Sequence, residues 1–173
     1  MKKYWQASLG FNKIKPLKAL GIAVVAYIFY LAVNIFILIT LLYFNWKIPG
    51  YELQPSIIKL FGNGTINVIG AGIISILVTP ILEEIFFRGF LLRILCNKLG
   101  IIIGSLITAV AFGFLHFPWQ AIIPSFVFGL ILNAIVIRSR SIWPAIAFHI
   151  LNNAIVFAFL LLIEKRLAGS IIL

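Results

Sequence analysis

Long apolar runs, each near the length of a bilayer-spanning helix, leave this chain few folds to choose from. They cover residues 19–44, 66–95, 101–117, 121–137 and 142–163. A hydrocarbon core ~30 Å thick is crossed by ~20 apolar residues of α-helix. Lipid offers no partner to a backbone N–H or C=O, so such runs close their hydrogen bonds internally, as helices. Hydrophobic residues make up 63% of the 173 and charged residues 10%, against ~25% charged in a typical soluble domain. The mean hydropathy is +1.17. The expectation is an all-α, polytopic membrane helix bundle of about five spans.

Lys and Arg number 14 against 4 acids, for a net charge of +10. The cations gather at the ends of the apolar runs: Lys2, Lys3, Lys13, Lys15 and Lys18 before the first, Arg93 and Lys98 around the end of the second, Arg138 and Arg140 after the fourth. That is the pattern of topology control, which places the N-terminus in the cytoplasm. It points to the lipid bilayer as the partner and away from nucleic acid. Lys165 and Arg166 then fall on the outer side, against the rule. The first run exceeds the ~7–15 residues of a signal-peptide core, so it is expected to stay as an anchor. Residues 45–65 carry Pro49, Gly50, Pro55, Gly62 and Gly64 and read as an external loop. The chain divides into residues 1–65, with basic segment, anchor and loop, and a helix bundle over residues 66–173.

As one straight helix, residues 66–95 would measure ~45 Å, so they must tilt, protrude or break. Pro80 is the expected kink, because it removes a donor, frees local carbonyls and clashes with the preceding turn. Gly100 and Gly104 form a small-xxx-small pair suited to a plain packing contact. Cys96 is the only cysteine; it excludes an intrachain disulfide and reads as a packing residue.

Two of the four acids, Glu83 and Glu84, sit side by side inside the second run. A carboxylate at the centre of a membrane helix costs ~2.5–3.5 kcal/mol on insertion scales, so an intramembrane acid marks a functional site by default. Arg88 lies four residues after Glu84, the spacing that stacks two side chains on one helix face. Glu84 is therefore the paired carboxylate. Glu83, about 100° further round the helix, is left as the candidate base. The only two histidines, His116 and His149, lie within or at the edge of other runs. Each has a partner four residues away, Phe112 and Asn153 respectively. Asn34, Asn67, Asn133 and Asn152 read as packing or capping groups. In straight, level spans His116 and His149 would differ by ~13 Å in depth.

A Glu, two His and an Asn can activate water and stabilise the oxyanion that follows. The same Glu and His residues suit Zn²⁺ with an open position for water, and the residues alone leave both chemistries open. Other hydrolases are excluded. There is no His-Glu-x-x-His pair, no Asp at all for an aspartyl dyad, and no Gly-x-Ser-x-Gly elbow.

The stretch from Pro80 to Gly89, with Glu83, Glu84 and Arg88, resembles the Glu-Glu-x-x-x-Arg signature of the CPBP or Abi family, the CAAX prenyl proteases of the Rce1 kind and their bacterial relatives. Phe112 to His116 is similar to its Phe-x-x-x-His, and His149 to Asn153 to its His-x-x-x-Asn, preceded by a polar turn from Arg138 to Pro144. All three occur in order on separate apolar runs, between about residues 78 and 157. The resemblance implies an intramembrane glutamic endopeptidase whose site opens towards the cytoplasm. In it Glu83 activates water, His116 assists, and His149 with Asn153 holds the oxyanion, supported by Glu84, Arg88 and Phe112. It implies a membrane-bound peptide or protein substrate and, for bacterial relatives, roles in peptide maturation or bacteriocin immunity at the plasma membrane. No cofactor is favoured; the zinc alternative would draw on Glu83, Glu84, His116 and His149. Two rival readings are a non-catalytic immunity or scaffold protein of the same fold, and a small proton-coupled transporter. The transporter is disfavoured by the lack of an internal repeat.

Overall fold

The computed structural model describes residues 10–45, 62, 64–116 and 119–170, with backbone only for 119–120 and 164–170. Most of the expected external loop, Lys2 and Lys3, and the side chains of Lys165 and Arg166 lie outside the described residues. Five helices are described and no strand: α1 Pro16–Tyr43, α2 Thr65–Leu99, α3 Ile101–Leu115, α4 Trp119–Ser139 and α5 Trp143–Ser170. α1, α2, α4 and α5 are long and apolar enough to cross a membrane. Large apolar side chains such as Ile28, Phe36, Ile66, Ile102 and Phe159 face outwards, as lipid allows and water does not. This is an integral membrane protein. α3, with 15 residues, is ~22 Å long and shorter than the ~30 Å core.

α2 stays helical through Pro80 for 35 residues. The proline is accommodated by a π-helical segment, Ile74–Val78, immediately before it. There the Thr79 N–H donates to the Ile74 carbonyl, five residues back. The next bond in that series would run from residue 80 to Ser75, and Pro80 has no N–H to give. The Ser75 carbonyl is instead taken by the Asn153 amide of α5 at 2.8 Å. A second π segment, Ile85–Leu91, follows the two glutamates. Its wider turn brings three consecutive residues, Phe87, Arg88 and Gly89, into the interior.

α2 reverses into α3 at Gly100, whose φ of 85° suits glycine alone. The two helices then lie so close that a β-carbon at Gly104 would stand 2.5 Å from the Cys96 nitrogen. That is the packing contact expected, made by Gly104 alone: nothing lies within 4 Å of a β-carbon at Gly100, which serves the turn, and Cys96 is buried in the contact. α3 packs along α4, α4 and α2 pack on α5, and α1 closes the bundle against α5 and α4. Leu92, Phe112, Leu132, Ile142 and Phe148 form its interior.

At one end, residues 10–15 run as a strap across the turn between α4 and α5. The Ile142 N–H donates to the Gly10 carbonyl at 2.9 Å. Asn12 donates to the Arg140 carbonyl at 2.6 Å, and Ser141 Oγ donates to the Asn12 carbonyl at 2.8 Å. Phe11 packs edge-on against Trp143. Gly10, at φ 84°, has room for no β-carbon beside the Arg93 guanidinium. The strap thus ties the start of α1 to the ends of α2 and α4, and the basic residues of all three share one end of the bundle.

Two stability predictions follow from this packing. Gly104→Ala lowers the melting temperature in detergent, because only backbone stands in the way of the new methyl. Gly21→Ala, where nothing lies within 4 Å of the added carbon, leaves the melting temperature unchanged or raises it by the equivalent of ~0.5–1 kcal/mol. Separately, Asn153→Ala costs ~1 kcal/mol by orphaning the Ser75 carbonyl. Adding Pro80→Ala, which restores an N–H, recovers part of that loss; strict additivity in the double variant contradicts the pairing.

Candidate active site

The site is assembled around Arg88, which is fully buried together with Glu84. Arg88 Nη1 donates to Glu84 Oε1 at 3.0 Å, Nε to Asn133 Oδ1 at 3.2 Å and Nη2 to the Gly129 carbonyl at 3.3 Å. Its guanidinium carbon lies 4.3 Å from the centre of the Phe112 ring, a cation–π contact in a dry interior. The pairing of Glu84 with Arg88 foreseen from their spacing is thus present. Asn133 carries more than the packing role first assigned to it. Besides accepting from Arg88 it donates to the Ser105 carbonyl at 2.9 Å, joining α2, α4 and α3. The sequence signal for it is the Gly129–Asn133 spacing, which puts a glycine and an amide side chain on one face of α4. Asn34, by contrast, donates to the Tyr30 carbonyl of its own helix.

Glu84 Oε1 also receives His149 Nδ1 at 2.8 Å. A carboxylate fixed by an arginine only accepts, so Nδ1 carries the proton and the ring presents Nε2 to the site. His116 is oriented in the same way. It ends α3, and its Nδ1 donates to the Phe112 carbonyl one turn back at 2.8 Å. Its ring lies 4.4 Å from that of Phe112. Phe112 therefore has the arginine and one histidine against its ring, with His149 at 5.9 Å. Phe128 packs on the other ring, 5.1 Å from His149.

The two Nε2 atoms meet at Glu83. Each is 3.8 Å from Glu83 Oε2, and that oxygen is buried with no direct hydrogen bond. The gap is longer than a direct bond, ~2.7–3.2 Å, and of the kind a bridging water fills. His149 therefore faces Glu84 with one ring nitrogen and Glu83 with the other. The depth difference of ~13 Å expected for level, straight spans does not hold, since both histidines reach the same oxygen; the spans are tilted and offset. The side chains of Glu83 and His116 are 26% and 32% exposed, against 3% for His149, so the cluster opens on the Glu83–His116 side.

Asn153 lies one turn beyond His149 on α5. One of its amide hydrogens is committed to Ser75, and its Oδ1 accepts from Asn152 at 3.3 Å. Of the four residues named for a zinc site, Glu84 Oε1 and His149 Nδ1 are occupied with each other and Arg88. Among the described residues, no group of three or more His, Cys, Asp or Glu side chains is placed to hold a metal ion.

Residues 65–155 match the family described as "Type II CAAX prenyl endopeptidase Rce1-like". That stretch contains every side chain of the cluster just described. Over 84 residues the chain is 32% identical to "Putative membrane peptidase YdiL" of Bacillus subtilis (strain 168). The aligned stretch is 49% of this chain and 34% of that protein, so the chain spans about a third of the length of the relative it matches. No solved structure matches. With more than half of its length matched and the whole Glu–His cluster inside the match, the chain belongs to the Rce1-like family of Type II CAAX prenyl endopeptidases.

Proposed function

We propose that this protein is an intramembrane endopeptidase of the glutamate type, hydrolysing a peptide bond of a membrane-associated peptide or protein. The observation that carries the reading is Glu83 Oε2, buried and flanked at 3.8 Å by two histidine nitrogens whose other ring nitrogens are already engaged. A water in that gap donates one hydrogen to Glu83 Oε2 and the other to His116 Nε2. Glu83 takes its proton as the oxygen attacks the scissile carbonyl carbon. We assign His149 as the imidazolium paired with Glu84 throughout the cycle, so that its Nε2–H, which is not transferred, faces the developing oxyanion. The second amide hydrogen of Asn153 is the other donor we assign to that charge. Glu83 returns its proton to the leaving amine as the C–N bond breaks, so one water is consumed and two peptide ends are released.

Glu84 and Arg88 are positioning residues in this scheme, since they act through His149. The route requires no metal. The basic end of the bundle is assigned to the cytoplasmic side of a bacterial plasma membrane, in keeping with the positive-inside rule.

Glu83→Gln is expected to lower cleavage by ~10²–10⁴-fold, the usual weight of a general base, with the melting temperature retained. Asn133→Leu acts differently. It strips Arg88 of a buried acceptor at a cost of ~1–3 kcal/mol, so melting temperature and rate fall together. Substrates are found by comparing, by mass spectrometry, the membrane and released peptides of cells carrying the native chain and Glu83→Ala. Undiminished cleavage by purified Glu83→Gln overturns the glutamate mechanism. A full cellular phenotype with that inactive variant establishes the scaffold reading instead. Metal content of the purified chain, measured beside activity in chelator, tests the metal-free route: loss of both together overturns it.

A further inference from the structure

A groove of about 830 Å³ runs between α1 and α4 on the outside of the bundle, lined by none of the Glu–His cluster. Its floor is apolar and closed by the buried Ala26 and Ile135. Val25 and Phe29 form its α1 wall and are exposed. At one end stand two exposed cations, Lys18 from the first turn of α1 and Arg138 from the last turn of α4. From Lys18 to Phe29 the helix rises ~16 Å, about half of the ~30 Å hydrocarbon core. The groove is thus one leaflet deep, with its charge where the headgroups lie.

Neither cation has a carboxylate to pair with among the described side chains. The only acids there are Glu83 and Glu84, engaged with Arg88 and the histidines. Gly21 opens the middle of the groove, and nothing lies within 4 Å of where its β-carbon would be.

We infer that this groove is a binding site for one anionic phospholipid, its phosphate held by Lys18 and Arg138 and one acyl chain laid along α1 between Gly21 and Phe29. Apolar burial and charge attraction reinforce each other in such a site. It is independent of catalysis at Glu83, and its occupant secures α1 to α4 where protein contact between them is thin.

The test uses the purified chain in neutral detergent micelles, titrated with fluorescently labelled phosphatidylglycerol and with phosphatidylcholine of the same acyl chains. Phosphatidylglycerol is expected to bind more tightly. Lys18→Gln with Arg138→Gln lowers its affinity by roughly tenfold or more, each basic group near an anionic headgroup contributing several-fold, and leaves phosphatidylcholine unaffected. Gly21→Leu, which fills the groove where space is open, weakens both lipids without lowering the melting temperature of the lipid-free chain. Lys98→Gln, a charge removed at the same end but outside the groove, changes neither. Equal binding of the two lipids, or an equal loss in Lys98→Gln, reduces the effect to surface attraction and overturns the site. So does normal binding in Gly21→Leu. A Gly21→Leu variant that instead converts an oligomer into a monomer on size-exclusion chromatography shows that a second copy occupies the groove, and overturns the lipid.

Discussion

An arginine with no exposed surface, in a protein that sits in lipid, sets the terms for everything around it. Bringing Arg88 and Glu84 out of water costs several kcal/mol per ion, and their attraction repays this only if the remaining donors and acceptors are also satisfied. Each guanidinium nitrogen finds an acceptor, and the site draws on three helices besides its own, while Glu84 Oε2 stays buried with no direct partner. Asn133 and the Gly129 carbonyl come from α4, the Phe112 ring from α3, and His149 joins from α5 through Glu84. A lysine could not do this, since its single ammonium lacks the planar fork that reaches three acceptors at fixed angles and lies flat on a ring. The ion pair thus determines which faces of α3, α4 and α5 turn inwards, and the placing of both histidines follows from it.

The sequence was most informative where a local rule applied. Apolar run length identified the helices, and the four-residue spacing of Glu84 and Arg88 separated two adjacent acids into an anchored one and a free one. Gly104 was correctly read as a contact. Local rules did not extend to relations between helices. The convergence of His116 and His149 on one oxygen contradicts the depths obtained by counting residues from the basic ends. Such counting assumes level, untilted spans, and α3 is too short and α2 too irregular for that assumption. The π turns on either side of the Thr79–Glu84 stretch had no signal beyond Pro80, because a widened turn depends on what packs beside it. The weight of Asn133 is hidden in the sequence for a similar reason. One asparagine in an apolar helix looks like any other until the residue across from it is known to be a buried arginine.

Asn153 shows how a residue can serve the backbone and the candidate chemistry together. Its amide replaces the N–H that Pro80 lacks, which fixes α5 against the π segment of α2 about two turns before the glutamates. The same bond sets the rotation of α5, and so the direction in which His149 points one turn earlier. Proline and asparagine, far apart in the chain, function here as one joint.

The shortness of α3 has a consequence for the surrounding membrane. A helix of 15 residues cannot match a hydrocarbon layer of ~30 Å at any tilt, and lipids beside such a segment compress to meet it. The end of this short helix carries His116, on the more exposed side of the cluster, so the thickness of the surrounding layer and the open face of Glu83 meet at one place.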